Sequence, residues 1–287
     1  MRHVGLALGA LLAALGVGLV LVGLLWLPAD PNALGRQPFA PPSLAHPMGT
    51  DWFGRDVLAR VMAGGRASVA VAAGAVAVGG LVGTVLGGLA GYAGGVLGEL
   101  AMRVSDFLLA FPAVLLALLL AAVLGPGLLG VTLAIALFQI PFFARLAHAG
   151  VLSLREREFV VAAKAVGVGN IRLLLRHMLP NLASPLLVQA TVSLAGALLA
   201  EASLGYLGLG VQPPQPAWGR MLREAQTYLA RSPWPAVFPG LVLGLTVLGL
   251  NLLGDGLRDL LDPAARHLTP WRRRAGRGRR WAAPSPP

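Results

Sequence analysis

Five runs of this chain lack Asp, Glu, Lys and Arg, and each is long enough to cross a lipid bilayer. A transmembrane helix needs about 20 apolar residues to cross about 30 Å of hydrocarbon. The third run is too long for one crossing and contains the turn signal Gly125-Pro126-Gly127, so we divide it into two spans. The pattern predicts an all-α polytopic membrane protein with six transmembrane helices. The five runs cover residues 4–29, 67–98, 107–144, 182–200 and 232–254.

Composition agrees with a chain that lies mostly in lipid. The 287 residues are 56% hydrophobic and 12% charged, and the mean hydropathy is +0.73. Soluble domains carry about 25% charged residues. The chain has no cysteine, which excludes disulfides and thiolate metal sites. Its five histidines are scattered and have none of the spacings that metal ligands share along a helix.

The first apolar run follows Arg2 and His3, so a signal peptide is the alternative to a first transmembrane helix. The run is longer than the apolar region of a signal peptide, and no small-residue cleavage site follows it. We therefore expect an uncleaved first helix. The predicted organisation is a first transmembrane helix at 1–29, a periplasmic loop at 30–66, a transmembrane core at 67–260 and a basic tail at 261–287.

The distribution of basic residues predicts the orientation. Cytoplasmic segments of membrane proteins are enriched in Lys and Arg. With the N-terminus inside, 16 of the 23 basic residues lie on the inner side. Both termini are then cytoplasmic, in an inner (plasma) membrane. We expect the arginine-rich tail to be disordered and close to anionic lipid.

The second run carries four glycines at intervals of four residues: Gly79, Gly83, Gly87 and Gly91. Residues four apart lie on one face of a helix, and a bare stripe lets another helix approach closely. We predict a helix-packing role for this stripe.

A basic segment at 153–181 interrupts the apolar pattern on the predicted inner side. It begins with a short helix from Glu158 to Val166, which Gly167 and Gly169 end. Asn170 is a plausible N-cap for a second helix, and Pro180 is expected to stop it. In that second helix one apolar face is predicted, which would lie along the inner membrane surface. Its members are Ile171, Leu174, Leu175 and Met178.

The pattern Ala162-Ala163-x3-Gly167, followed by Leu179-Pro180, resembles the EAA loop of permease subunits of binding-protein-dependent ABC importers. The family's glutamate is replaced by Val161 here. In that family the loop is a coupling helix that lies in a groove of the ATP-binding subunit. The resemblance implies that one set of residues couples this chain to an ATPase: Glu158, Ala162, Ala163, Lys164, Gly167, Arg172, Arg176, Leu179 and Pro180.

Four more segments are similar to one branch of the family, the "C-type" permease of dipeptide, oligopeptide and nickel importers. They occur in the expected order and cover residues 46–66, 102–112, 201–219 and 251–263. The resemblance implies a type I ABC importer permease fold and half of a translocation path. It also implies three kinds of partner: a second permease subunit, two ATP-binding subunits and an extracytoplasmic solute-binding protein.

The sequence offers no nucleotide-binding loop of its own. Such a loop ends in Gly-Lys-Ser/Thr, whereas Lys164, the only lysine, lies between two alanines. We therefore expect no cofactor in this chain, with ATP and Mg²⁺ held by partner subunits. Because no nucleophile is paired with a base, we expect a mechanical role and no enzymatic one.

Two residues near the predicted outer side are candidates for the translocation path or a gate. Glu201 is an acid within an apolar stretch, where a carboxylate is costly unless it faces the bundle interior or a wet path. The alternative is that it reaches the outer interface. Trp218 begins an amphipathic segment after Pro213, Pro214 and Pro216, and is expected to anchor it at the headgroups.

Other function classes fit less well. A proton-driven secondary transporter would need a relay of buried ionisable residues, and the spans hold almost none besides Glu201. A lipid-modifying enzyme would need clustered His or Asp/Glu at one membrane face. The arginines of the tail would suit nucleic acid, but beside a membrane we expect them to meet lipid.

Overall fold

The computed structural model describes residues 2–261, and within that range it contains helices and no strands. Ten α-helices are numbered in chain order, with a π-helical turn at Leu173–Met178 and a 3₁₀ turn at Leu179–Leu182 between α7 and α8. The helices are α1 Arg2–Leu25, α2 Val57–Ala93, α3 Gly95–Ala110, α4 Ala113–Leu124, α5 Leu128–Arg155, α6 Glu158–Ala165, α7 Asn170–Arg172, α8 Ala183–Tyr206, α9 Trp218–Gln226 and α10 Trp234–Leu261.

Five of these segments are long and apolar enough to cross a membrane by themselves: α1, α2, α5, the stretch Asn170–Tyr206 that ends in α8, and α10. A sixth crossing is present if α3 and α4 are counted together. The predicted all-α fold with multiple spans is therefore confirmed. The predicted basic tail lies, after its first residue, outside the described residues.

The third span is bent, which the lengths of the apolar runs did not predict. Gly98–Ala110 and Val114–Leu124 meet at 94°. Pro112 explains the bend, because the residue before a proline is driven out of the helical region. Phe111 indeed has φ −81° and ψ 133°. The predicted break at Gly125-Pro126-Gly127 is confirmed, since α4 ends at Leu124 and α5 begins at Leu128.

Helix α2 begins earlier than predicted, at Val57, so the helix includes the last part of the predicted loop at 30–66. Asp56 is its N-cap, and its carboxylate accepts a hydrogen bond of 2.8 Å from the Ala59 amide. Such a cap satisfies one of the free amides of the first turn. The connection between α1 and α2 therefore ends at Asp56.

The glycine stripe of α2 packs directly on the backbone of α5, as predicted. A Cβ atom at Gly79 would lie 2.6 Å from the Ala136 carbonyl oxygen, and one at Gly91 would lie 2.7 Å from that of His148. Gly83 and Gly87 meet the carbonyls of Ile140 and Ala144 in the same way. Since both rows advance by four residues, the two helices run side by side in close contact along most of their length.

A second close contact joins α1 to α10, and the sequence analysis did not identify it. Gly9 and Gly16 on α1, and Gly249 and Gly256 on α10, meet atoms of the opposite helix. Helix α10 also packs on α8, and α8 packs on α2. The helices therefore form one bundle, in which α2 and α8 lie between the α5 and α10 sides.

Candidate functional site

The connection between α5 and α8, residues 156–182, forms the candidate site, and we call it the α5–α8 loop. Its helix α6 ends one residue before the predicted position. One side of α6 faces the bundle, with Val160 fully buried, while Phe159 and Val161 are exposed. Further along, Val166 and Ile171 are 81% and 73% exposed. Uncovered apolar side chains next to a helix are typical of a surface that meets another protein.

The buried side of the α5–α8 loop is attached to the bundle through a small apolar core. Val160 and Leu173 are fully buried in this cluster, together with Val151 from α5 and Leu182 from the start of α8. Tyr92 at the end of α2 packs against the same cluster. The loop therefore contacts three membrane-crossing helices, so a displacement of α6 would be transmitted to all three.

Three polar contacts join α2 to the α5–α8 loop and to the adjoining end of α5. The Tyr92 hydroxyl donates to the Asn170 side chain at 2.7 Å. The Lys164 ammonium lies 5.5 Å from the centre of the Tyr92 ring, within the range of a cation–π contact. The Arg155 guanidinium donates to the Gly91 carbonyl at 3.3 Å. Both the predicted coupling residue Lys164 and the end of the glycine stripe therefore join one contact region.

Gly167 ends α6 with a backbone that only glycine adopts readily. Its φ is +81°, and a Cβ at this position would meet nothing within 4 Å. Its amide donates to the Lys164 carbonyl at 3.0 Å, which closes the turn. The positive φ explains why a glycine follows the short helix, and it fixes the direction in which the chain leaves α6.

The second half of the loop differs from the prediction. Residues Leu173–Met178 form a π-helical turn, and Leu173 is buried while Ile171 and Leu175 are exposed. A π-helix has more residues per turn than an α-helix, so the apolar positions of an α-helical pattern no longer share one face. Leu174 and Met178 are instead buried in the apolar cluster of the bundle. The prediction that the four residues share one face along the membrane surface is therefore wrong.

Pro180 does not stop the helical path, which is a second correction. It lies in the first turn of the 3₁₀ segment, where a missing N–H costs little. That segment leads directly into α8, which begins at Ala183. The Asn181 side chain donates to the His177 carbonyl at 2.6 Å across the junction. The loop is thus continuous with the span that follows it.

The structure brings the predicted coupling residues together on one side of the bundle, which we call the loop side. Ala163 and Leu179 are partly buried against the apolar cluster. The other predicted residues are exposed and free to meet a partner: Glu158, Ala162, Lys164, Gly167, Arg172, Arg176 and Pro180.

A groove between α4, α5 and α8 was not identified from the sequence. Its cavity has a volume of about 430 Å³. Most of its lining is apolar, but Gln139 donates to the Ser193 carbonyl at 3.3 Å and Gln189 donates to the Ser193 hydroxyl at 3.1 Å. Ser203 lies at its end. Among the described lining residues none is ionisable, so the groove offers neutral hydrogen-bonding groups on an apolar wall.

Glu201 and Trp218 do not line this groove. Trp218 is fully buried, and its indole N–H donates to the Val61 carbonyl at 2.9 Å. The prediction that it anchors at the headgroups is therefore wrong: the ring fills the space above Gly65, where α2 has no side chain. Glu201 is also fully buried; the Ser68 side chain lies beside its carboxylate, and within residues 2–261 no basic group pairs with it. It does not reach the outer interface.

We expect Glu201→Gln to stabilise the protein, because an unpaired buried carboxylate is costly and the amide has the same shape without the charge. The expected gain in the free energy of unfolding is about 1–3 kcal/mol. Glu201→Leu, which removes the polar group altogether, should stabilise at least as much. Thermal unfolding of the purified protein measures both. A lower melting temperature for Glu201→Gln would mean that the carboxylate is stabilised by a partner within the folded subunit.

On the face opposite the loop side, which we call the far side, a charged network joins distant parts of the chain. Glu224 on α9 accepts from the Arg60 guanidinium at 3.1 Å and from Arg220 at 2.7 Å. Asp51 accepts from Arg55 at 2.6 Å, and Arg55 lies 3.8 Å from Glu224. Only 2% of the Arg60 side chain is exposed. This network connects the α1–α2 loop to α9.

Comparison with known proteins gives one family match and several similar relatives. Residues 83–267 match the family model described as "Binding-protein-dependent transport system inner membrane component". A dipeptide transport system permease protein of Alkalihalophilus pseudofirmus is 47% identical over 222 residues, which are 77% of this chain and 73% of the relative. A di/tripeptide transport system permease protein of Pseudomonas aeruginosa is 46% identical over 216 residues, 75% of this chain and 71% of the relative.

A third relative has a different named cargo. A glutathione transport system permease protein of Escherichia coli is 47% identical, over 77% of this chain and 73% of its own length. Among solved structures, an inward-facing form of the MetNI methionine ABC transporter matches with a TM-score of 0.52 and 18% identity. The match covers 68% of this chain and 95% of the matched one. At that identity the likeness concerns the fold.

Proposed function

Because the chain belongs to the family of binding-protein-dependent transport system inner membrane components, we propose that it forms half of the translocation path of an ATP-driven peptide importer. The family makes it a multi-pass inner-membrane permease that works with ATPase and other subunits. The subunit composition of the complete transporter is part of the proposal. It comprises a second, similar permease, two ATP-binding subunits and a solute-binding protein on the outer side.

The observation that carries the proposal is the α5–α8 loop. Its exposed side presents Phe159, Val161 and Val166, while its buried side is packed on α2, α5 and α8. A partner that moves α6 therefore moves the helices that border the groove. This is how ATP hydrolysis by another subunit would reach the path without any chemistry in this chain, with ATP and Mg²⁺ held by the partner.

The groove supports a peptide as cargo. A peptide backbone carries donors and acceptors along its whole length, and these lose free energy when they are buried without partners. Gln139, Gln189 and Ser193 present neutral polar groups of both kinds in an otherwise apolar wall. The named cargoes of the three relatives, a dipeptide, di- and tripeptides, and glutathione, share this chemistry.

A proton-driven transporter is disfavoured by the same geometry. Proton relays need ionisable groups along the path, whereas the described lining of the groove has none, and Glu201 is buried away from it. Membership in a family of ATP-driven importers points in the same direction.

We also propose that the loop side is cytoplasmic. Leu261, the last described residue, lines the same cavity as Ser184 at the start of α8, so α10 ends on the loop side. The beginning of α1 packs against the end of α10 through Gly9 and Gly256. Both ends of the described chain therefore lie beside the α5–α8 loop, and the excess of basic residues on this side favours the inside.

Cross-linking from Ala162 tests the coupling proposal. The chain has no cysteine, so in the purified subunit Ala162→Cys is the single site for a maleimide-benzophenone reagent, and the labelled subunit is then assembled into the transporter. We expect an ultraviolet-induced adduct with the ATP-binding subunit, identified by mass spectrometry. Ser43→Cys, which is exposed on the far side, is the matched control and should give none. Labelling of Ala162→Cys by an impermeant maleimide added outside intact cells would contradict the proposal.

A further inference from the structure

A polar pocket on the far side is not used by the proposed coupling mechanism. It has a volume of about 360 Å³ and lies between the α8–α9 connection and α9. Arg220, Arg223 and Glu224 supply its charges, and Gln212 and Thr227 supply neutral polar groups. This volume lies at the lower end of the range of about 300–1,000 Å³ that is typical of small-molecule sites, and the charged lining distinguishes the pocket from the groove.

Arg223 is the group in this pocket that is ready to bind a ligand. Its side chain is exposed, and the residues described in the structure give it no ion pair. Its guanidinium lies over Gly208, where a side chain on the connection would displace it. A guanidinium with its N–H groups free presents the fork geometry that binds carboxylates.

The surroundings of Arg223 also favour a negative ligand. Nearby Arg220 uses Nε to bind Glu224, and its NH1 group is buried without an acceptor among the described residues. Glu224 is shared with Arg60 and lies close to Arg55, so it cannot neutralise Arg223 as well. Four arginines thus face two acids, Asp51 and Glu224, and an excess of positive charge remains at the pocket.

The pocket lies next to the groove along α8. Ser203 and Leu204 line the groove, and Gly205, the next residue of α8, lines the pocket. Because α8 ends at Tyr206, the pocket lies beside the far-side end of the α8 segment that borders the groove.

We propose that this pocket binds the free carboxylate of a small peptide-like solute at the outer mouth of the groove, with Arg223 as its principal contact. The choice of solute rests on the proposed function, since every unmodified peptide carries a terminal carboxylate. The guanidinium holds that carboxylate while the neutral groove accepts the rest of the molecule.

Protection of Arg223 from phenylglyoxal, an arginine-specific reagent, tests the proposal on the assembled transporter without its solute-binding protein. Peptide mass spectrometry follows each arginine separately. With alanylalanine at about ten times its dissociation constant, we expect the reaction of Arg223 to slow by about ten-fold, because the fraction of unoccupied pockets falls by about that factor. Alanylalaninamide, which lacks the carboxylate, should give no protection. Arg231, which packs at 4.5 Å over Phe39 on the same face, is the internal control and should react at an unchanged rate.

Three results would overturn the proposal. Equal protection by the amide would remove the carboxylate from the interaction, and equal protection by sulfate at the same ionic strength would show a non-selective anion effect. Protection by the solute-binding protein alone would make the ligand a protein side chain. Measurements of uptake distinguish a failure of this inference from a failure of the proposed function. ATP-driven uptake of alanylalanine without protection of Arg223 would refute carboxylate binding in the pocket but not the proposed function. Uptake that does not depend on ATP would refute the proposed function.

A pair of variants gives an independent measurement. Arg223→Gln should lower alanylalanine uptake by the complete transporter several-fold, and Arg223→Lys, which keeps the charge, should restore part of it. Arg231→Gln should leave uptake unchanged. Equal uptake by Arg223→Gln and Arg231→Gln would contradict a role for the pocket in transport.

Discussion

Replacing Gly167 with valine is expected to remove most uptake, whereas the same replacement at Gly169 leaves uptake close to normal. Both glycines follow the end of α6, and a Cβ at either would meet nothing within 4 Å. They differ in backbone conformation, because φ is +81° at Gly167 and −63° at Gly169. Comparing the two variants therefore distinguishes an effect of backbone conformation on uptake from an effect of steric crowding within the chain.

The physical cost at Gly167 comes from its left-handed backbone. An L-residue there loses about 1–2 kcal/mol, and a β-branched residue more. Since the loop is exposed at this point, the chain can relieve the strain by changing the direction in which it leaves α6. The exposed side of α6 would then no longer fit a partner, and we expect uptake to fall by about ten-fold, the factor that this energy supplies.

ATP-driven uptake of labelled alanylalanine and glutathione into proteoliposomes, normalised to the amount of inserted subunit, measures the effect. The ATPase rate of the complex should lose its stimulation by the solute-binding protein in Gly167→Val alone. Equal uptake by the two variants would show that the conformation of Gly167 is irrelevant to coupling. A Gly167→Val subunit that fails to insert would be replaced in the assay by Gly167→Ala, for which we expect a smaller loss in the same direction.

The features that could be predicted from the sequence are those set by local pattern. Long apolar runs give the spans because the bilayer fixes their length, and the stripe from Gly79 to Gly91 gives the α2–α5 contact because its period matches the helix. The helix α6 and its end at Gly167 follow from turn chemistry in the same way. Each of these needs only neighbours within one or two helical turns.

The features that were missed depend on distant parts of the chain. Trp218 has the amphipathic character of an interfacial anchor, but α2 offers the space above Gly65 and a carbonyl at Val61. Which helix lies beside it cannot be derived from its own segment. The π-helical turn at Leu173–Met178 follows from packing of Leu173 and Met178 in the same small core. Pro112 is an exception, because a proline restricts the residue before it and so gives a local signal for the bend. Counting the lengths of the apolar runs does not use that signal.

Glu224→Gln is expected to destabilise the protein by about 3 kcal/mol, because removing one member of a buried ion network leaves the others without compensation. The carboxylate accepts from Arg60 and Arg220 and lies close to Arg55, and these groups would then face one another in a largely buried site. The loss should also free the α1–α2 loop from α9, because Glu224 links the two. Thermal unfolding and limited proteolysis of residues 30–56 measure the two effects.

The matched control is Glu99→Gln, which breaks an ion pair of opposite character. Glu99 pairs with Arg103 one turn away on α3, and the two side chains are 62% and 72% exposed. Exposed pairs contribute less than about 1 kcal/mol, so this variant should melt as the unaltered protein does. A similar small effect for Glu224→Gln would mean that water reaches the network and that the α1–α2 loop is held by its aromatic contacts. Those contacts are the stacking of Trp52 on Tyr228, with ring centres 5.4 Å apart, and the packing of Phe39 on the same ring. Tyr228→Ala would then cause the larger loss of stability and the faster cleavage of the loop.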